Sequence, residues 1–203
     1  NDNYSEIFIA SRYYLYMLDF IKDNNSWVLK NIFNSPSGNF YSISFADIDN
    51  DNEPEIITSA EGELYVLKKE GDNWSSKLIW SINHIITEDL KIYSIVVDDI
   101  DLDGDIDIAL HLGPSIFSST GSTGYTYLLN NTGSSWNETL LGSTGHSGGH
   151  KTICILQLDN DPIKEIITVD QDVYLFDYVG LEKSPTNSAE EPTGEPNNTI
   201  TSK

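Results

Sequence analysis

The sequence predicts an all-β fold, a β-propeller of which about four blades of antiparallel strands are present. Three observations carry this expectation. A unit of about 50 residues recurs four times, every segment inside the unit is strand-like, and an acidic loop returns at one fixed place in each unit. FADIDNDNEPEIITSAEGELYVLKKEGDNWSSKLI, from Phe45, matches VDDIDLDGDIDIALHLGPS and YTYLLNNTGSSWNETLL, from Val97, segment by segment. A third copy, LQLDNDPIKEIITVDQDVYLFD, starts at Leu156, and the N-terminal NDNYSEIFIASRYYLYMLDFIKDNNSWVLKNI is a fourth that opens inside its acidic loop. The residues that close the loops, Glu6, Glu55, Asp107 and Glu165, are spaced by 49, 52 and 58.

Within a unit, a β-rich run (YSISFA, YSIVVD, TICILQ) enters the loop and a second (EIITSA, DIDIAL, EIITV) leaves it. A third run carries alternating aromatics (ELYVLK, YTYLLN, DVYLFD). A polar Asn/Gly turn then leads to Trp27, Trp74 or Trp136 and a fourth short run (WVLKNI, KLIW, ETLLG). A complete meander in each unit argues for propeller blades over a solenoid. The expected division is 1–46, 47–98, 99–156 and 157–180 for the repeats, with 181–203 as a linker or stalk rich in Pro, Ser, Thr, Asn and Glu.

The 203 residues hold 11 Lys+Arg against 32 Asp+Glu, a formal net charge of -21. Such a surface repels nucleic acid and anionic lipid and favours cations or basic partners. With 38% hydrophobic residues the chain can bury a core, so the acidity belongs to a folded protein. No apolar run approaches the ~20 residues that span a bilayer, so direct membrane insertion is not expected. Cys154 alone excludes an internal disulfide and any multi-thiolate metal site, and in TICIL it reads as a small packed hydrophobe. Six N-x-S/T sequons, at Asn3, Asn24, Asn73, Asn130, Asn137 and Asn197, are compatible with secretion.

DIDLDGDIDI, 99–108, sets five carboxylates into nine residues beside an apolar strand. Two carboxylates about 5 Å apart repel by roughly 3 kcal/mol at an effective dielectric near 20, so a cation is expected among them. Oxygen ligands on alternate residues of a tight loop can wrap one ion, and glycine supplies the positive φ of the bend. Asp99, Asp101, Asp103 and Asp107 would provide side-chain oxygens, and Asp105 its backbone carbonyl, with its carboxylate turned to solvent. The preceding loop offers Asp47, Asp49, Asp51 and Glu55, with Asn52 at the glycine place. The following one offers Asp159, Asp161 and Glu165, with Gln157 at the first place and Pro162 at the glycine place; the N-terminal one retains Asp2 and Glu6. Flexible carboxylates suit calcium better than magnesium. A helix-loop-helix calcium hand is excluded, because Leu110 and Thr58 stand where it needs a bidentate Glu.

At these residues the chain resembles the FG-GAP/VCBS repeat family of calcium-loop β-propellers, which includes the head of integrin α chains, certain lectins and many prokaryotic surface proteins. The resemblance covers residues 1 to about 180. It implies that the loop joins the first and second strands of each blade, that Ca2+ braces the rim, and that the ligands are Asp99, Asp101, Asp103 and Asp107 in one loop and Asp47, Asp49, Asp51 and Glu55 in the other. The literal Phe-Gly and Gly-Ala-Pro signature is absent, and Leu112-Gly113-Pro114 only echoes it, which favours the VCBS branch.

The opposite face would collect the loops 33–40, 81–91, 112–124 and 142–151, with insertions that the repeat does not need. His84, His146 and His150 fall there and His111 near it, a weak basis for a transition-metal site. GHSGG has the wrong order for a nucleophile elbow, and no phosphate-binding glycine loop is present. No catalytic residues are expected. The expected function is an extracellular or cell-surface binding or adhesion module that recognises a protein or glycan through these loops. Two alternatives stand beside it: part of a carbohydrate-active enzyme of the polysaccharide-lyase kind, which the few basic residues disfavour, and a structural cell-surface spacer. Because the chain opens inside a loop and its last unit stops after three strands, the sequence further predicts a larger ring. A seven-bladed one at this period would take about 350 residues, and an open arc would associate with itself through its edges.

Overall fold

The computed structural model describes residues 6–82, 90–114, 123–146, 152–159, 162–169 and 173–176. These residues form four antiparallel sheets. The first holds β1 (Ile7–Ser11), β2 (Tyr14–Ile21) and β3 (Ser26–Asn34); the second holds β4 (Phe40–Ala46), β5 (Glu55–Ala60), β6 (Glu63–Glu70) and β7 (Asn73–Ser81). The third holds β8 (Leu90–Asp98), β9 (Asp107–Pro114), β10 (Thr123–Asn131) and β11 (Trp136–His146), and the fourth β12 (Thr152–Leu156), β13 (Glu165–Val169) and β14 (Val173–Phe176). In every sheet the strands lie side by side in chain order, as a meander. Each four-stranded sheet begins with the strand that precedes its acidic loop, so the structural unit keeps the period of the sequence repeat but starts one strand earlier.

Local sequence accounts for the turns. The β2–β3, β6–β7 and β10–β11 hairpins each place one residue at positive φ, Asn25 (φ 53), Gly71 (φ 64) and Gly133 (φ 72), types that tolerate the left-handed region. A 3-10 turn, Lys22–Asn24, lies inside the first of these hairpins.

The strands β5 and β9, which leave two of the acidic loops, are central in their sheets and covered on both faces. All of Glu55–Ala60 and all of Asp107–Pro114 are buried, so neither EIITSA nor DIALHLGP shows the polar–apolar alternation of a half-exposed strand. Period-two alternation then splits each strand between two core layers. Ile56 packs with Leu15, Tyr65 and Leu67 toward the first sheet, whereas Ile57 packs with Leu110, Leu112 and Leu129 toward the third. Ile108 joins that middle layer, and its neighbour Ala109 faces Ile153 and Ile166 of the fourth sheet. Each fully buried Ile or Leu contributes on the order of 1.5–3 kcal/mol.

The first strands of the second, third and fourth sheets are neighbours, β4 against β8 and β8 against β12, and β1, which follows the N-terminal acidic stretch, lies against β4. The acidic connections, β4–β5, β8–β9 and β12–β13, therefore gather at one end of the stack. Bonds between them show it directly: Asn50 Nδ2 donates to Asp105 Oδ1 at 2.8 Å, and Lys164 Nζ reaches Asp98 Oδ1 at 2.6 Å. The fourth strands lie at the outer edge, with Trp27, Leu29, Leu78 and Leu140 about half exposed.

Candidate metal centre

In three of the loops the closing carboxylate is the first residue of a central strand, and burial follows from that position: Asp107 is 0% exposed, Glu55 and Glu165 2%. Each accepts a hydrogen bond from the backbone N–H seven residues earlier. Ile48 donates to Glu55 Oε2 at 3.0 Å, Ile100 to Asp107 Oδ2 at 3.0 Å and Leu158 to Glu165 Oε2 at 2.6 Å. The shared contact makes the three loops one structural device.

Inside the loops, aspartates collect backbone donors and hold the turn. Asp47 accepts from the amides of Asp51 (3.0 Å) and Asn52 (2.8 Å), and Asp99 Oδ2 accepts from Gly104 at 3.2 Å. Asn52 (φ 71) and Gly104 (φ 97) make the bend at the glycine place. Two further residues adopt positive φ, Asn50 (φ 58) and Leu102 (φ 62). The second is uncommon for a bulky side chain, and the surrounding turn bonds hold it.

Two sets of three carboxylates converge, Asp47, Asp49 and Glu55 in one loop and Asp99, Asp101 and Asp107 in the next, with oxygens of each set all within 4.8 Å of one another. Either set could hold a metal ion. All six donors are carboxylate oxygens, a set that suits a hard divalent cation. Asp99 Oδ1 is buried and has no hydrogen-bond partner among the described residues, an arrangement that costs free energy unless a cation meets it. Burial pushes Asp107 up to about 6 against the pull of its two backbone donors, and burial likewise raises Glu55.

Asp51 and Asp103 stand outside these sets. Asp51 accepts from Glu53 N at 2.8 Å and is held below the usual carboxylate range by Lys68, while Asp103 is exposed and accepts from Asp105 N at 2.9 Å. Asp105 turns its carboxylate to Asn50 of the neighbouring loop rather than simply to solvent. Asp159 is exposed and Glu165 Oε1 is a second buried oxygen without a hydrogen-bond partner among the described residues; Asp161 and Asp2 lie outside those residues, and Glu6 is exposed at the start of β1.

Side chains from the third strands complete the two loops, and the acidic pattern did not mark them. Ile56 pairs with Leu67 and Ile108 with Leu129, so Lys68 and Asn130 stand opposite Glu55 and Asp107. Lys68 Nζ contacts Asp49 Oδ2, lies 2.6 Å from Asp51 Oδ2 and 3.8 Å from Glu55 Oε1. Asn130 Nδ2 donates to Asp101 Oδ2. Asn131, 5% exposed, joins the two loops: its backbone N–H donates to Asp107 Oδ1 at 2.9 Å and its Nδ2 to the Ile48 carbonyl at 3.2 Å. The 47–55 loop also borders an open cleft of about 1130 Å³ between the first and second sheets, walled in part by Lys68, Phe8 and Trp74.

The other predicted features fare differently. His111 is fully buried in β9, with Nδ1 3.0 Å from Thr126 Oγ1 of the paired strand β10, so it belongs to the core and not to a loop face. His84 and His150 lie outside the described residues, as do most of 81–91 and 112–124 and half of 142–151, whose first five residues, 142–146, continue β11. Cys154 is a partly buried free thiol in β12.

Fold and site together define an all-β protein of four antiparallel sheets with acidic, potentially metal-holding loops at one end. The chain matches no protein-family model and no curated protein sequence.

Proposed function

We propose that this chain is a calcium-braced β-propeller segment of the FG-GAP/VCBS kind, serving as a non-catalytic binding or adhesion module at the cell exterior. One observation carries the reading. The same acidic loop, between the first and second strands of successive sheets, converges three carboxylates twice and leaves a buried oxygen of Asp99 without a hydrogen-bond partner among the described residues. The neighbouring first strands of the second, third and fourth sheets support a radial arrangement of blades. An ion among the carboxylates cancels a repulsion that the unfolded chain relaxes, so its binding free energy adds to stability.

Antiparallel order puts the β5–β6 and β9–β10 connections, and those between successive sheets, at the end away from the acidic loops. Loops at that end are the proposed ligand-binding face for a protein or glycan. The test has two arms. The melting temperature should rise in millimolar calcium and fall in chelator, and a melt indifferent to rigorous chelation refutes the calcium reading. A glycan array probed with the whole chain, with and without calcium, should show calcium-dependent binding that shortening of 112–124 or 142–151 abolishes; binding that survives both deletions moves the site elsewhere.

A further inference from the structure

We infer that Lys68 is a built-in cation of the 47–55 loop, so that this loop closes on its own ammonium group whereas the 99–107 loop depends on an external divalent ion. The inference rests on the calcium reading above and assigns the two loops different roles within it. Its basis is a comparison of equivalent positions. Lys68 and Asn130 occupy the same register place, opposite the closing carboxylate, and reach the same acceptor, the second aspartate of the loop, Asp49 in one case and Asp101 in the other. One carries a full positive charge and the other none. In the first sheet the corresponding residue opposite Glu6 is Asp19, which is itself paired with Lys30 at 2.7 Å. The residue at this place therefore sets the charge that each loop meets from its own sheet.

The geometry of Lys68 is that of a ligand, not of a passing surface pair. Its ammonium touches two aspartates and lies within ion-pair distance of the nearly buried Glu55, three carboxylates in all. The two aspartates that accept from its ammonium hold it above the ordinary lysine range, so it is charged throughout the physiological interval. A divalent ion entering the 47–55 set must displace or approach this charge, and at about 4 Å even the dielectric of water leaves roughly tenfold or more of repulsion in the binding constant. Asn130 imposes no such barrier: it orients Asp101 by a neutral hydrogen bond and leaves the negative charge of the 99–107 set uncancelled. The cleft beside Lys68 leaves it open to solvent, so the lysine can swing out once replaced.

The experiment is calorimetric titration of calcium chloride into the stripped full chain, for wild type, Lys68→Asn and Asn130→Lys, with melting temperatures recorded in chelator and in saturating calcium. Wild type should show a tight event, lost in Asp101→Asn, and any event at 47–55 should be at least about tenfold weaker. Lys68→Asn should strengthen that weaker event by about tenfold or more, and Asn130→Lys should weaken the tight one. Lys68→Asn should also melt lower than wild type in chelator and recover in calcium. A calcium isotherm that Lys68→Asn leaves unchanged overturns the inference, as does a loss of stability that is the same in chelator and in calcium, the mark of an ordinary surface ion pair. If no variant binds calcium, the metal reading falls by itself, and the chelator melt then decides: a lower melt for Lys68→Asn supports the built-in cation, and an unchanged melt refutes it.

Discussion

Without metal, the buried Asp107 should make the protein lose stability as the pH rises, opposite to the usual behaviour of a paired carboxylate. Its folded pKa is pushed up to about 6, chiefly by burial, against an unfolded value near 3.9. Between these values the native state holds a proton that the unfolded state has released. Raising the pH therefore favours unfolding, by about 1.4 kcal/mol per pH unit, and the full effect from pH 4 to pH 7 is about 3 kcal/mol. Urea unfolding in chelator at intervals from pH 4 to pH 8 measures the slope. Because the chain's net charge of -21 also penalises compactness at high pH, the informative quantity is the difference between wild type and Asp107→Asn. That difference should move by about 3 kcal/mol in favour of the variant across the interval. Saturating calcium should reverse the trend, since an ion stabilises the ionised form. Parallel profiles for wild type and variant would show that Asp107 is not the group responsible.

Three substitutions test the packing around the site by the same unfolding assay. Leu110→Ala removes a fully buried side chain from the layer between the second and third sheets and should cost about 2–5 kcal/mol. Asn131→Ala strips the partner from the Ile48 carbonyl and from Gly133 N–H, with an expected loss of about 1–3 kcal/mol, while the backbone bond to Asp107 is kept. Gly62→Ala places a methyl group 2.5 Å from Ile82 Cγ2 and 3.1 Å from the Leu90 carbonyl, and the forced shift should cost about 1–3 kcal/mol.

Much of the sheet structure was legible because repetition and strand period reinforce each other. YSISFA, EIITSA, ELYVLK and the run after Trp74 lie in β4 to β7, and the matching segments lie in β8 to β11. Their lengths were less legible: β11 runs on through Gly142 to His146, past the apolar residues that marked it. In the acidic loops, spacing alone picked out Asp47, Asp49, Glu55, Asp99, Asp101 and Asp107, because alternate carboxylates ending on a strand are a local pattern. The same pattern also names Asp51 and Asp103, whose side chains accept turn amides and stand outside the two converging sets. Lys68 and Asn130 went unmarked for a different reason. They arrive by cross-strand register, and only the last letters of ELYVLK and YTYLLN, aligned to each other, show that the two loops share that position. The positive φ of Leu102 had no signal of its own, although Asn50 at the equivalent place hinted at it.

The bond from each closing carboxylate to the amide seven residues before it also governs where the chain can tolerate insertions. One extra residue between Ile48 and Glu55, or between Ile100 and Asp107, would carry the donor away from its acceptor and leave a charged oxygen buried beside an unmet amide. The loop interval is seven in all three copies, yet these copies stand 52 and 58 residues apart, so the variation in length falls outside these segments. The opposite connections show the freedom that the acidic loops lack: β5 and β6 are joined by Glu61 and Gly62, whereas β9 and β10 are separated by 115–122. Lineages of this repeat should therefore diverge by growth at one end of the sheets, while the acidic end changes only by substitution.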